Sequence, residues 1–176
     1  IAAILGAHAG SARVVPAVVY LPAHRAAPGR AVLEGRAALS LPRDAGGAAF
    51  AAAFADSFVR VDLVDDWPTA AWTKLLMNAA SGAITALLGR PISVLADPEA
   101  AALARDLMRE AIAVGRAEGA VFADDAADRI VAAMVKHAGH HYPSITQDRR
   151  AGLPTEWQAR NEVIVRLAGK HGIDVP

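Results

Sequence analysis

The feature that most constrains this chain is a change of character at Asp65-Asp66. Upstream, apolar residues come in short clusters broken by proline and glycine. Downstream, they recur at helical spacing as far as the C-terminal end. Val14, Val15, Val18, Val19, Tyr20 and Leu21, then Ala31 to Leu33, then Ala37 to Leu41 favour strands, with Pro22, Pro28, Gly29 and Gly35 between them. Asp44 to Asp56 is an alanine-rich helix candidate. Phe58 to Val64 alternates as a strand should, with Val59, Val61 and Leu63 against Arg60 and Asp62. After Asp66 four helices are expected. One is offered a start by Asp66 and Pro68 or Thr69, carries an apolar pattern over Ala70 to Leu88 and stops at Gly89 and Pro91, and one is capped by Asp97 with Pro98 and Glu99 in its first turn and ends near Gly119. The others run from about Asp124 to His137 and from Thr155 to His171, with a polar turn over Ser144 to Gly152 between them. The expected class is α+β, with a strand-rich segment over 1–65 joined to a mostly helical domain over 66–176.

Composition narrows the functional classes. Eighteen Lys+Arg balance 18 Asp+Glu, so no basic stripe calls for a nucleic-acid partner. The chain has no cysteine, which removes disulfides, thiolate nucleophiles and thiolate metal sites. No apolar run approaches the roughly 18 residues a membrane span needs. The apolar start Ile1 to Gly6 lacks the basic flank and length of a signal peptide, so a cytoplasmic protein is expected. Because the sequence begins at Ile1 rather than Met, it is also expected to be a piece of something longer.

The first helix of the second segment carries the most chemistry. Lys74, Asn78, Ser81 and Thr85 fall on one face of an otherwise apolar helix. A solvent-facing stripe is the plain account, but the single lysine is flanked by Trp72 and Leu75 and followed by uncharged polar groups. A lysine against apolar walls has its pKa lowered, which makes it a proton donor near neutral pH. Downstream, Ser144-Ile-Thr-Gln-Asp148 precedes Pro154-Thr155-Glu156, where Glu156 suits the first turn of a helix. His137, His140 and His141 near Tyr142 read as a solvated helix end, and no metal site is expected there. Arg149 and Arg150 read as part of a surface turn beside Asp148.

In this order, Trp72-Thr-Lys74-Leu-Leu-Met-Asn78-Ala-Ala, Ser144-Ile-Thr-Gln-Asp148, Gly152-Leu-Pro-Thr155-Glu156, Asn161 and His171-Gly-Ile-Asp-Val-Pro176 resemble the ketopantoate reductases, the 2-dehydropantoate 2-reductases. The resemblance is close over 72–80 and 144–176 and faint over the first 65 residues. It implies a helical domain of the 6-phosphogluconate dehydrogenase C-terminal type, preceded by the end of a Rossmann domain around Pro28-Gly29. The implied reaction is NADPH-dependent reduction of 2-dehydropantoate to pantoate, in pantothenate biosynthesis. In that reading Lys74 protonates the alkoxide as hydride reaches the ketone. Glu156 accepts a hydrogen bond from the substrate hydroxyl and holds the lysine, Ser144 contacts the carboxylate, and Asn78 bonds the substrate.

The sequence departs from the family where a second asparagine is usual four residues after the first. Gly82 stands there, and Arg90-Pro91-Ile92 replaces a further asparagine. Ser81, on the same face, is the candidate to fill the gap. A related reductase for another 2-keto acid therefore stays open, as does a non-catalytic helical module for dimerisation or binding. No G-x-G-x-x-G follows a strand, so the cofactor-binding residues are not identified. A βαβ unit takes about 30 residues, and the rest of a nucleotide domain would add on the order of 100. This chain alone is expected not to bind NADPH tightly and to be inactive. The exposed flank of its strands favours a homodimer.

Overall fold

The structure, a computed structural model, describes residues 2–10 and 12–176; Ile1, the first residue of the apolar start, lies outside them. The chain forms two compact units that meet at Ala70/Ala71, five residues beyond the boundary expected from sequence.

In the first unit a short helix, α1 (Ala2–His8), precedes β1 (Val18–Tyr20) and a hairpin of β2 (Ala23–Ala27) and β3 (Arg30–Leu33). The hairpin reverses at Pro28-Gly29. Proline presets the first central φ of the turn, and Gly29 takes the second at +74°, which a side chain would resist. β4 (Ala38–Pro42), α2 (Ala45–Ala52) and β5 (Arg60–Val64) follow. β1 lies antiparallel to β4, and β4 lies parallel to β5 across the α2 crossover, giving the sheet order β1-β4-β5. A strand, a crossover helix and a parallel strand make the repeating unit of doubly wound α/β sheets. Asp44 caps α2, its Oδ1 accepting from Gly47 N at 2.7 Å. Gly47 has to be glycine, since a Cβ there would stand 1.9 Å from the Pro42 carbonyl oxygen.

The second unit is helical. α3 (Trp67–Leu88) starts where Asp66 Oδ1 accepts from Thr69 N at 3.0 Å, a start that Asp66 offers in the sequence. A 3₁₀ turn (Ile92–Ala96) leads to α4 (Pro98–Ala117), whose expected cap is present: Asp97 Oδ1 accepts from Glu99 N and Ala100 N. α5 (Ala126–Lys136) follows, then α6 (Ser144–Arg150), a turn of π-helix (Gln158–Glu162) and α7 (Val163–His171).

The core is built on small residues, with Ala79, Ala80, Ala104, Ala111, Ala126, Ala127 and Ala168 buried beside Leu76, Ile84, Met108, Val131 and Ile164. Alanines let helix axes approach closely, and the few large side chains fill what remains. Leu76 and Met108 are fully buried, so truncating either to alanine would cost about 2–5 kcal/mol. Trp72 packs against Gly115, where a Cβ would meet its ring at 3.0 Å.

Two expectations need correction. Ser144 to Gly152 is not a polar turn but begins with the helix α6. Arg149 and Arg150 are exposed, as expected, but they end that helix rather than sit in a turn. The Arg149 guanidinium donates to the Ala86 carbonyl, while Arg150 donates to the Gly89 carbonyl at 3.5 Å and stacks 4.4 Å from the Tyr142 ring centroid. Together they satisfy carbonyls at the C-terminal end of α3, where the helix dipole also favours cations.

Candidate active site

α3 sets out Lys74, Asn78 and Ser81 along one wall of a cavity of about 550 Å³ in the helical unit. Ile130, Ala133, Met134 and His137 on and just beyond α5 line it too, with Ile92 from the 3₁₀ turn and His141 and Pro143 from the loop before α6. The lining is mainly apolar with a few polar groups converging on it, the pattern of a small-molecule site. A second cavity, about 720 Å³, lies in the strand-rich unit, and its charged groups, Arg36 and Arg60, include no proton-transfer pair.

Lys74 is half-buried. Burial holds its pKa below the ordinary lysine value, and the neighbouring Arg160 cation lowers it further. It is thereby a better acid than a surface lysine. Asn78, also half-buried, sits one turn further along. Ser81 is buried, and its hydroxyl donates to the Met77 carbonyl at 2.6 Å. Its proton is therefore engaged, and toward the cavity it offers lone pairs.

Thr85, fourth in the stripe, lines neither of these cavities. It is fully buried, with Oγ1 donating to the Ser81 carbonyl at 2.7 Å. Thr146 of α6, also fully buried, lies 2.7 Å from that oxygen. Since the Thr85 proton goes to Ser81, Thr146 must be the donor. This pair docks α6 on α3 and so fixes Ser144 at the start of α6.

Ser144 and Glu156 meet through a residue that sequence reasoning missed. Arg160 Nη2 donates to Ser144 Oγ and to Glu156 Oε2, each at 2.9 Å. Its side chain is only 12% exposed, against 67% for Glu156. The one available sequence signal was the four-residue spacing of Glu156 and Arg160, which ordinarily marks an exposed helical pair. Arg160 lies within the π-helical turn, and adjoining Asn161 donates from Nδ2 to the Ala79 carbonyl at 3.3 Å. Arg160 thus joins Ser144 to Glu156 and is a neighbouring cation of Lys74, while Asn78 and Ser81 share with Lys74 the wall of a cavity that Ser144, Glu156 and Arg160 do not line.

His137, His140 and His141 are exposed at and just beyond the end of α5, as expected of a solvated terminus. His137 and His141 line the cavity, and His137 Nδ1 lies 2.8 Å from the Ala133 carbonyl. His140 Nδ1 lies 3.5 Å from Ser93 Oγ. Among the described residues, no three His, Asp or Glu side chains are grouped to hold a metal ion. No helix among them is long and apolar enough to cross a membrane.

Comparison with known proteins gives the family. Residues 66–176 match the family described as ketopantoate reductase PanE/ApbA C terminal. The 2-dehydropantoate 2-reductase of Caulobacter vibrioides is 43% identical over 164 residues, covering 93% of this chain and 56% of the relative. That of Mycobacterium tuberculosis is 39% identical over 169 residues, covering 96% and 57%. The structure of 2-dehydropantoate 2-reductase from Geobacter metallireducens superposes with a TM-score of 0.88 at 29% identity, covering 98% of this chain and 60% of that one. A dimeric ketopantoate reductase from Staphylococcus aureus gives 0.86 at 27% identity, covering 94% and 58%. The chain spans just over half the length of these curated relatives.

Proposed function

The chain belongs to the ketopantoate reductase family, and on that premise we propose that it forms the substrate-side half of an NADPH-dependent 2-keto acid reductase. The substrate we assign is 2-dehydropantoate, reduced to pantoate by a homodimer in the cytoplasm. The observation that carries this reading is Lys74 itself: a half-buried lysine of lowered pKa on a cavity wall, with a carboxamide one turn away.

The chemistry asks three things of the protein. The carbonyl oxygen of the substrate must receive a proton as its carbon receives hydride, and Lys74 Nζ is the donor. Easing the proton off lysine by burial raises its strength as an acid at the pH of the cell. The substrate carboxylate must be held, and Ser144, bonded to the Arg160 cation that neighbours the lysine, is assigned that role. The substrate hydroxyl must find acceptors, and Glu156, Asn78 and the lone pairs of Ser81 supply them.

The mainly apolar lining by Ile92, Ile130 and Met134 suits a flat, uncharged dihydronicotinamide ring, so these residues would hold that end of the cofactor. NADPH, when bound, supplies the hydride. The chain's glycines form no pyrophosphate-binding fingerprint after a strand, and the remainder of the cofactor is assigned to no residue here.

The apolar lining also favours a second substrate within the same class, a 2-keto acid with a larger apolar group. The test is NADPH oxidation by the full-length protein with 2-dehydropantoate and a series of 2-keto acids. Turnover of 2-dehydropantoate supports the first assignment, and preference for a bulkier keto acid supports the second. No oxidation with any of them refutes the reductase reading.

A further inference from the structure

We propose that Arg160 is the specificity-determining residue that grips the carboxylate of the substrate, and that Gly82 is small because its missing side chain leaves the guanidinium its place. The inference rests on the reductase reading given above. A Cβ at Gly82 would stand 3.5 Å from Arg160 Nη1, in contact with it, and a tighter 3.2 Å from Ile145 Cγ2, so the guanidinium and Ile145 together take the space that a larger side chain at 82 would need. The π-helical turn presents Arg160 toward α3, and the Asn161 bond to Ala79 ties that turn down. Single π turns inside helices recur at functional sites.

Charge makes the same point. Lys74 and Arg160 are neighbouring cations, and Glu156, the anion on Arg160, is largely exposed. A nearly buried guanidinium beside a second cation is stabilised by any further anion that enters. Among the described residues, the hydrogen bonds of Arg160 leave from Nη2 alone, to Ser144 and Glu156. Nη1 and Nε–H remain as donors. Arginine presents its donors as a planar fork that matches a carboxylate with two parallel bonds, which an ammonium cannot do. Ser144 Oγ, held by Arg160 at 2.9 Å, keeps its own proton for the same anion. A 2-keto acid seated on this fork carries its ketone one bond from the carboxylate, toward the lysine.

The test compares a 2-keto acid with its uncharged methyl ester on the full-length protein, wild type against Arg160→Met and Arg160→Lys. Loss of a paired, charge-assisted contact should lower kcat/KM for the acid about 100-fold in Arg160→Met, chiefly through KM, with the ester changed less than about threefold. Arg160→Lys keeps the charge without the fork and should fall between. Equal losses for acid and ester would overturn the proposal, because they would mean that Arg160 only props up Ser144 and Glu156. Should Arg160→Met fail to fold, calorimetry on the wild type decides. The 2-hydroxy acid product should bind at least about tenfold more tightly than its amide, and equal binding would refute the carboxylate site. A wild type that reduces the acid while Arg160→Met keeps the acid-to-ester ratio refutes this proposal and leaves the reductase reading standing. A wild type that reduces neither refutes the reductase reading, and the calorimetric comparison still decides whether the fork binds a carboxylate.

Discussion

The polar stripe on α3 has two halves with different fates. Lys74, Asn78 and Ser81 border a cavity, while Thr85, one turn beyond Ser81, is sealed against Thr146. In the sequence the four residues are one pattern, a polar line on an apolar helix. What separates them is what lies opposite. The line ends in a packed hydroxyl pair where α6 docks and opens into a site where α5 and the loops stand back. Helical periodicity identifies a face, and only the partner of that face decides whether it is chemical or structural.

Substitutions can break this contrast, and they are ordered here by size. Lys74→Ala should lower kcat by about 100-fold or more and leave thermal stability nearly unchanged, as measured by steady-state kinetics and melting of the full-length enzyme. In the wild type, kcat should fall as pH rises, because the acid form of Lys74 is the one that works. Burial and Arg160 lower its pKa, so the break should come below the ordinary lysine value of 10.5. A break at or above that value would show an unperturbed lysine.

Thr85→Val should do the reverse, costing about 1–3 kcal/mol by leaving the buried Thr146 hydroxyl without its acceptor, while kcat holds. Adding Thr146→Val should recover part of that loss, since two matched apolar groups leave nothing unsatisfied. Additive losses in chemical denaturation would argue against the pair.

Asn78→Ala should raise KM about tenfold, the loss of one substrate hydrogen bond, with stability unaffected. An unchanged KM would move Asn78 to the structural half of the stripe.

The smallest effect belongs to a contact remote from the stripe. Glu118 joins the end of α4 to α7 through His171 at 2.5 Å and Lys170 at 2.7 Å. Those bonds hold its pKa below the ordinary glutamate value. A depressed carboxyl contributes stability above its unfolded pKa of about 4.5 and loses it as pH falls through the lower folded value. Glu118→Gln should therefore cost under about 1 kcal/mol at neutral pH, and the difference should vanish in acid.

Local chemistry was legible in the sequence and distant pairing was not. Asp97-Pro98-Glu99 encodes its own helix start because the cap, the preset φ and the first-turn acid act within four residues. Pro28-Gly29 likewise encodes its turn, but β2, Ala-His-Arg-Ala-Ala, has little strand preference and is a strand only because that turn returns β3 beside it. α6 looks like a loop for a comparable reason. Gln147 to Arg150 are polar, and the helix is held by Thr146, Arg149 and Arg150 reaching α3. In the site, Lys74 and Asn78 stood out because they interrupt an apolar helix. Arg160 did not, since its neighbours Ser144 and Gly82 lie far from it in sequence.

The π turn at Gln158–Glu162 also bears on chain length. It holds one residue more than an α-helical turn would, so α7 and the residues before it are out of step by about 100°. Deleting a single residue there would restore a regular helix without cutting any element, yet it would swing Glu156 and Arg160 away from Ser144. This stretch therefore tolerates substitution on its outer side far better than any change of count. An alignment that closes up one residue here would misplace Glu156 and Arg160 relative to Ser144.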